Sequence, residues 1–202
     1  MQTLDEVAQV SFSPLLHRYT LEEFFTLPDP DDRSHYELIG GFLLMVPPPD
    51  PPHGSIDARL TRSLFQFILA HEVQGEVHHP REPIYTDLHE GIYLEPDMMF
   101  VSDELSLQMG RKRTSADIVF EYLSASNAVY DRTTKAHTNL ALGVRELWLI
   151  DQSTTTIEVR HAGERKGKPT WETWQYSADD WAESRVLAGW RVSVAELFEG
   201  LV

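Results

Sequence analysis

Cysteine is absent from the chain. That excludes a disulfide framework, a thiolate nucleophile and any zinc site built on Cys ligands. No apolar run is long enough to cross a bilayer. The opening "MQTLDEVAQV" lacks the basic start and apolar stretch of a secretory signal, so a cytoplasmic protein is the expectation. Positive charge is scarce as well: 17 Lys and Arg stand against 32 Asp and Glu, a formal net charge of -15. Nucleic-acid binding draws on Lys and Arg to neutralise phosphates, so a protein that coats nucleic acid by bulk charge does not fit. A nucleic-acid role has to come from local basic patches, or from a metal ion that reverses the sign of an acidic site.

The 202 residues, 42% hydrophobic and 24% charged, have the ordinary make-up of a globular protein with a substantial core. Thr20 with Glu23 forms a capping-box pattern ahead of a short helix in "TLEEFFTL". "HYELIGGFLLMV" reads as a hairpin of two strands, 36–39 and 42–46, around Gly40-Gly41. The prolines of "PPPDPPHGS" form a stiff connector into a helix whose apolar face carries Ile56, Leu60, Leu64, Phe67 and Ile68. "REPIYTD" and "GIYLEPDMMFVS" are expected to pair as a second hairpin, and "ADIVFEYLS" as another strand. "NAVYDRTTKAHTNLALG" follows as a helix stopped at Gly143. Strands at "ELWLID", "TTIEVR" and "TWETWQYS" and a short helix at "SVAELFEGL" complete a mixed α/β chain with one central sheet and no internal repeat.

Three acids fall inside these β-runs. In "DIVFEYLS", alternation puts Ile118, Phe120 and Tyr122 on one face and Val119, Glu121 and Leu123 on the other, so Glu121 is flanked by aliphatic neighbours. Asp97 interrupts "GIYLEPDMMFVS", and Glu37 lies in "HYELIG". A carboxylate in an apolar setting is costly unless paired or bound to metal. If the three converge, repulsion and burial raise their pKa values, and a divalent cation removes that cost. Ligation by oxygen alone points to Mg²⁺ or Mn²⁺. Lys135, on the next helix, supplies an ammonium able to orient a metal-bound water. Against these readings stand simpler ones. Asp97 can end a strand, Glu121 can pair with a distant arginine, Glu37 can lie exposed on an edge strand, and Lys135 can pair with Asp131 on an open helix face.

The ordered set "HYELIGGFLLMVPPPDPPH", "YLEPDMMFVS", "DIVFEYLSAS" and "DRTTKAHTNLALGVRELWLID" resembles the Uma-type group of restriction-endonuclease-like proteins in the PD-(D/E)xK nuclease superfamily. The resemblance implies a restriction-endonuclease-like fold over 1–202, with its motif-bearing core about 36–151 and extra strands with a short helix over 152–202. It implies Asp97, Glu121 and Glu37 as metal ligands, Lys135 as the catalytic lysine shifted onto the helix after the second acid, Mg²⁺ or Mn²⁺ as cofactor, and DNA as partner of a homodimer. The chain departs from the group at Gly40, Phe42, Ala125 and Asn139. A nuclease fold kept as a binding module, with little hydrolysis, is the alternative.

Of the other residues, His53 at the helix entry reads as structural or as a phosphate contact. His78 and His79 read as surface or loop residues. Arg111-Lys112-Arg113 and "GERKGKP" are compact basic runs on expected loops. The tryptophans Trp148, Trp171, Trp174, Trp181 and Trp190 are expected to pack the C-terminal strands or a dimer face.

Overall fold

A computed structural model describes residues 17–49, 51–124 and 127–201. The opening decapeptide and Ala125 lie outside the described residues. The fold is mixed α/β, as the alternation of periods predicts. In chain order the elements begin with α1 (Leu21–Phe24), β1 (His35–Ile39), β2 (Phe42–Val46), α2 (His53–Ala70), β3 (Gly75–His78) and β4 (Ile84–Thr86). They continue with β5 (Ile92–Leu94), β6 (Met98–Ser102), α3 (Asp103–Met109), β7 (Ile118–Leu123) and α4 (Ala128–Tyr130). A π-helical turn (Asp131–Lys135) leads into α5 (Ala136–Ala141). Then come β8 (Glu146–Asp151), β9 (Thr156–Arg165), β10 (Lys168–Ser177), β11 (Trp181–Glu183), β12 (Arg191–Ser193) and α6 (Val194–Phe198).

The strands form two main sheets, not one. The larger has the order β10-β9-β8-β7-β6-β3, and the smaller β2-β1-β5-β4, with β11 and β12 as a separate pair. In the large sheet only β7 and β8 are parallel, joined by the helical segment 128–141 as their crossover; the other pairs are antiparallel. Every residue of β7 and β8 is buried, as expected of strands covered on both faces.

The alternation expected in β7 is the one observed. Ile118, Phe120 and Tyr122 join Ile56, Leu60 and Leu64 of α2 and Trp148 and Trp190 in one core. Val119 and Leu123 face a second core with Met99, Leu147 and Ala136 of α5. Glu121 therefore shares the face of the second core. Aromatic packing centres on Phe120, Trp148 and Trp190, with the two indoles 4.9 Å apart. Of the remaining tryptophans, Trp171 donates its indole N–H to the Ala136 carbonyl (2.9 Å), Trp174 lies under Arg185, and Trp181 is exposed beneath Arg191.

The largest departure concerns "GIYLEPDMMFVS". It is not one strand: Ile92–Leu94 pairs with β1 and β4 in the small sheet, whereas Met98–Ser102 pairs with β7 and β3 in the large one. Glu95-Pro96-Asp97 is the bridge where the chain changes sheet, and Pro96 removes the ladder donor there. The hairpin expected with "REPIYTD" holds for β4 and β5 only.

β3 pairs with β6 at the edge of the large sheet through a tight approach. Gly75 has φ +150, and a Cβ built there would lie 2.6 Å from the Val101 carbonyl and 2.8 Å from the Phe100 ring. Gly75→Ala is thus expected to destabilise the fold by roughly 1–3 kcal/mol; a urea midpoint equal to that of the unaltered chain would refute the close-approach argument.

Candidate active site

A strand from each sheet, β1 and β7, meets the bridge and the π-helical turn. β1 lies inside the small sheet, between β2 and β5, and its Glu37 is fully buried rather than exposed at an edge. β7 contributes Glu121, 3% exposed. The bridge contributes Asp97, and the π-helical turn contributes Lys135.

The expected helix over 127–143 contains that turn because the Ala136 N–H bonds to the Asp131 carbonyl, one residue further back than in an α-helix. Thr133 reinforces the distortion by donating its hydroxyl to the Val129 carbonyl. The wider turn directs both Asp131 and Lys135 inward, each 3% exposed. An open-face pair of Asp131 with Lys135 is therefore not what forms. Arg132 points the other way and fixes the turn to the large sheet through Asp151 (2.8 Å) and Glu158.

Lys135 Nζ lies 3.0 Å from Glu37 Oε1 and 3.0 Å from Glu121 Oε2, with the Glu95 carbonyl at 3.4 Å. Glu37 is also held by the Glu95 N–H at Oε1 and by the Tyr130 hydroxyl at Oε2, both at 2.8 Å. Asp97 stands against the next peptide of β7: its Oδ2 accepts the Tyr122 N–H at 2.8 Å, and its Oδ1 lies 3.1 Å from His53 Nε2. Tyr122 in turn donates its hydroxyl to Asp57 (2.9 Å), and its ring meets His53 edge-on. The structure thus brings Glu37, Glu121 and Lys135 into direct contact, with Asp97 alongside on the β7 backbone.

The electrostatics follow from burial. Burial pushes the Glu121 carboxyl well up, Lys135 opposes this, and Asp131, Asp97 and Glu37 add to the rise. For Lys135, burial works against the charge, but Glu121, Glu37 and Asp131 outweigh it and hold the ammonium well above its usual range. Asp131 is pushed up to about 7, chiefly by burial. His53 is likewise raised, since its bond to Asp97 outweighs burial. Lys135 thus faces two buried carboxylates, Glu37 and Glu121, while His53 faces Asp97.

Among the described residues, two buried carboxylate oxygens have no hydrogen-bond partner, Glu121 Oε1 and Asp131 Oδ2. Among the described residues no three His, Cys, Asp or Glu side chains are grouped as a ready metal cage. Asp97 and Glu121 nonetheless offer a hard, all-oxygen donor pair with one vacant oxygen, which suits Mg²⁺ because that ion is commonly held by one or two carboxylates, with water and phosphate completing its shell. Glu37 offers less, because both of its oxygens already carry partners. A cleft of about 50 Å³ opens over Asp97, lined by His35, Pro47, Pro48, His53 and Gln152.

The family described as Uma2, putative restriction endonuclease, matches residues 21–195. The chain belongs to the Uma2 family. Among solved structures, this Uma2 chain resembles a putative nuclease of DUF820 from Anabaena variabilis ATCC 29413. The likeness has a TM-score of 0.70 at 20% identity, over 91% of this chain and 99% of that one. No curated protein matches the chain. No helix among the described residues of this Uma2 chain is long and apolar enough to cross a membrane.

Residue reading missed several members of the site. His53, which the sequence leaves between a structural role and a phosphate contact, bonds Asp97 across 44 positions. Tyr130, Asp57 and the Glu95 backbone were not singled out, because their roles arise only from long-range packing. His78, which ends β3, is half-buried and meets Arg113 at 3.2 Å. Of the basic runs, Arg113 and Lys112 are paired with Glu82 and Asp87.

Proposed function

We propose that the chain is a divalent-metal-dependent phosphodiesterase that cuts DNA. The observation that carries this reading is the buried Lys135 ammonium between Glu37 and Glu121, beside Asp97 at the floor of an open cleft. A structural ion pair alone would not need two buried carboxylates against one ammonium, because a buried charge without its own partner is costly. Asp97 and Glu121 would hold Mg²⁺ or Mn²⁺, which would supply Lewis-acid stabilisation and a water of lowered pKa.

The remaining residues have separable tasks. Lys135 orients the attacking water and offsets the negative charge that develops on the phosphate. Glu37 is assigned to holding that ammonium in place, aided by Tyr130 and the Glu95 N–H, and not to the metal as the family resemblance implies. His53 keeps the Asp97 carboxylate turned toward the cleft. Cutting both strands of a duplex calls for two such sites, hence a homodimer.

The test is metal-linked stability followed by cleavage. Mg²⁺ or Mn²⁺ at about 100 times its Kd stabilises by roughly 2.7 kcal/mol, which corresponds to about 5–10 °C in Tm for a chain of this length. Asp97→Ala is expected to erase that shift and the nicking of plasmid DNA together. The other reading, a nuclease fold retained for binding, is favoured by the net charge of -15 and by the lack of a three-donor cage among the described residues. A chain whose Tm ignores both metals and which leaves plasmid intact would support it and sink the first.

A further inference from the structure

We propose that the polar pocket between α2, β11, β12 and α6 binds a phosphate group, away from the residues assigned to cutting. None of Glu37, Asp97, Glu121 or Lys135 lines it, so the inference stands with or without cleavage.

The pocket, about 170 Å³, has Arg59, Arg62, Ser63, Trp181, Arg191 and Ser193 in its walls. Unpaired positive charge gathers there. Just over half of the 17 Lys and Arg form ion pairs among the described residues, but Arg59, Arg62 and Arg191 do not. Three unpaired guanidinium groups around one concavity reverse the local sign in a chain of net charge -15. A cleft lined by one sign of charge concentrates ligands of the other. Glu196 also lines the pocket, yet among the described residues its carboxylate pairs with none of the three.

The same walls hold hydrogen-bond donors that lack an acceptor. Arg59 is anchored through Nη1, which donates to the Glu196, Leu197 and Glu199 carbonyls at 3.3, 2.9 and 2.8 Å. Its Nε and Nη2 keep no acceptor among the described residues. Arg191 is anchored by its guanidinium, 4.6 Å from the centroid of the Trp181 ring. Arg62 is exposed and makes no hydrogen bond among the described residues. Both serines use the hydroxyl oxygen as an acceptor. Ser63 takes the Trp190 indole N–H at 3.2 Å, and Ser193 takes the Glu196 N–H at 3.3 Å. Each hydroxyl proton is therefore left to donate to a ligand.

A ligand for such a pocket is anionic and accepts hydrogen bonds without donating any. A phosphate group meets both demands, and a guanidinium fork matches its oxygens two at a time. Two of the three arginines are already fixed by the protein, so less side-chain freedom is lost on binding. Phosphate groups come from a nucleic-acid backbone or from free polyphosphate. The backbone is the source expected here, because a chain this acidic needs local basic patches to hold a strand at all.

The full-length chain is titrated into a short labelled DNA duplex in EDTA, which prevents metal-dependent cutting. Kd is read by anisotropy across about 50–200 mM salt. Arg62→Ala is expected to weaken binding about 5-fold or more at the low-salt end and to reduce the slope of log K against log salt by about 1. Arg62→Ala combined with Arg191→Ala should reduce it by about 2. Lys112→Ala removes a charge already paired with Asp87 and should leave the slope as it was. Inorganic tripolyphosphate is titrated in parallel and read by tryptophan fluorescence, since Trp181 is 42% exposed. A reduced slope in Arg62→Ala supports a strand phosphate at this pocket. Tripolyphosphate binding that Arg62→Ala abolishes, with no DNA binding, supports a free polyphosphate instead. Binding of neither, or binding of both untouched by the arginine variants, would overturn the proposal. A chain that nicks plasmid yet keeps its full slope in Arg62→Ala loses this pocket and retains the nuclease reading; a reduced slope without nicking does the reverse.

Discussion

Lys135→Ala is expected to lower stability by about 3–5 kcal/mol, the range for breaking a buried ion pair by removing one partner, and to cut cleavage by about 10³ or more. The two losses have different origins. Without the ammonium, Glu37 keeps the Glu95 N–H and the Tyr130 hydroxyl, but Glu121 keeps no hydrogen-bond donor, since its Oε1 has none and its Oε2 depends on Lys135. The stability loss should therefore sit mainly at Glu121. Lys135→Ala combined with Glu121→Gln should regain part of the stability, because a neutral amide is cheaper to bury than a carboxylate, and none of the cleavage. Mn²⁺ should also steady the single variant more than the double. Urea unfolding of the three proteins with and without metal separates these terms; a Lys135→Ala cost below about 1 kcal/mol would show the triad to be solvated and the assignment wrong.

Glu146→Ala is expected to be nearly as damaging, although it lies in no proposed site. This fully buried carboxylate accepts the Trp148 indole N–H at 2.6 Å and the Arg185 and Val186 backbone N–H groups at 2.8 and 3.1 Å. It thereby ties the loop before β12 to the large sheet. Each donor left unsatisfied costs about 1–3 kcal/mol, so a combined loss of roughly 3–5 kcal/mol is expected. The pH dependence has a definite sign. Burial raises the Glu146 pKa, but bonds from His161, Trp148, Ser184 and Arg185 outweigh it and hold the folded value below the ordinary 4.5. Its contribution is complete above that pH and is lost as pH falls through the lowered folded value. Melting curves taken downward from pH 5 should fall more steeply for the natural chain than for Glu146→Gln. Parallel curves would show that this carboxylate does not govern acid unfolding.

The parts of the fold that could be read directly are those set by short-range rules. The capping box at Thr20 and Glu23 forms as expected, and Gly143 leaves its helix with φ 85. Alternation in β7 placed Glu121 on a buried face because one strand decides it. The change of sheet at Pro96 was hidden because apolar residues continue on both sides of it, and only pairing partners far along the chain distinguish β5 from β6. β3 was missed because "GEVH" is short and only partly buried, and its place is set by β6. The π-helical turn has no sequence signature, so Lys135 could be nominated but its burial could not. His53 could be read as structural or as a phosphate contact but not as a partner of Asp97, because only the docking of α2 on the sheet brings the two together.

The crossing from one sheet to the other at Glu95-Pro96-Asp97 limits how the molecule can be divided. Glu37 belongs to the small sheet, Glu121 to the large one, and Lys135 to the crossover between β7 and β8, so neither sheet owns the triad. A fragment beginning after β2 would retain all six strands of the large sheet yet leave Lys135 with one carboxylate instead of two. Swapping the small sheet for a relative's would exchange the lysine's anchor along with it. The unit that can be transplanted intact is both sheets and the three residues that join them.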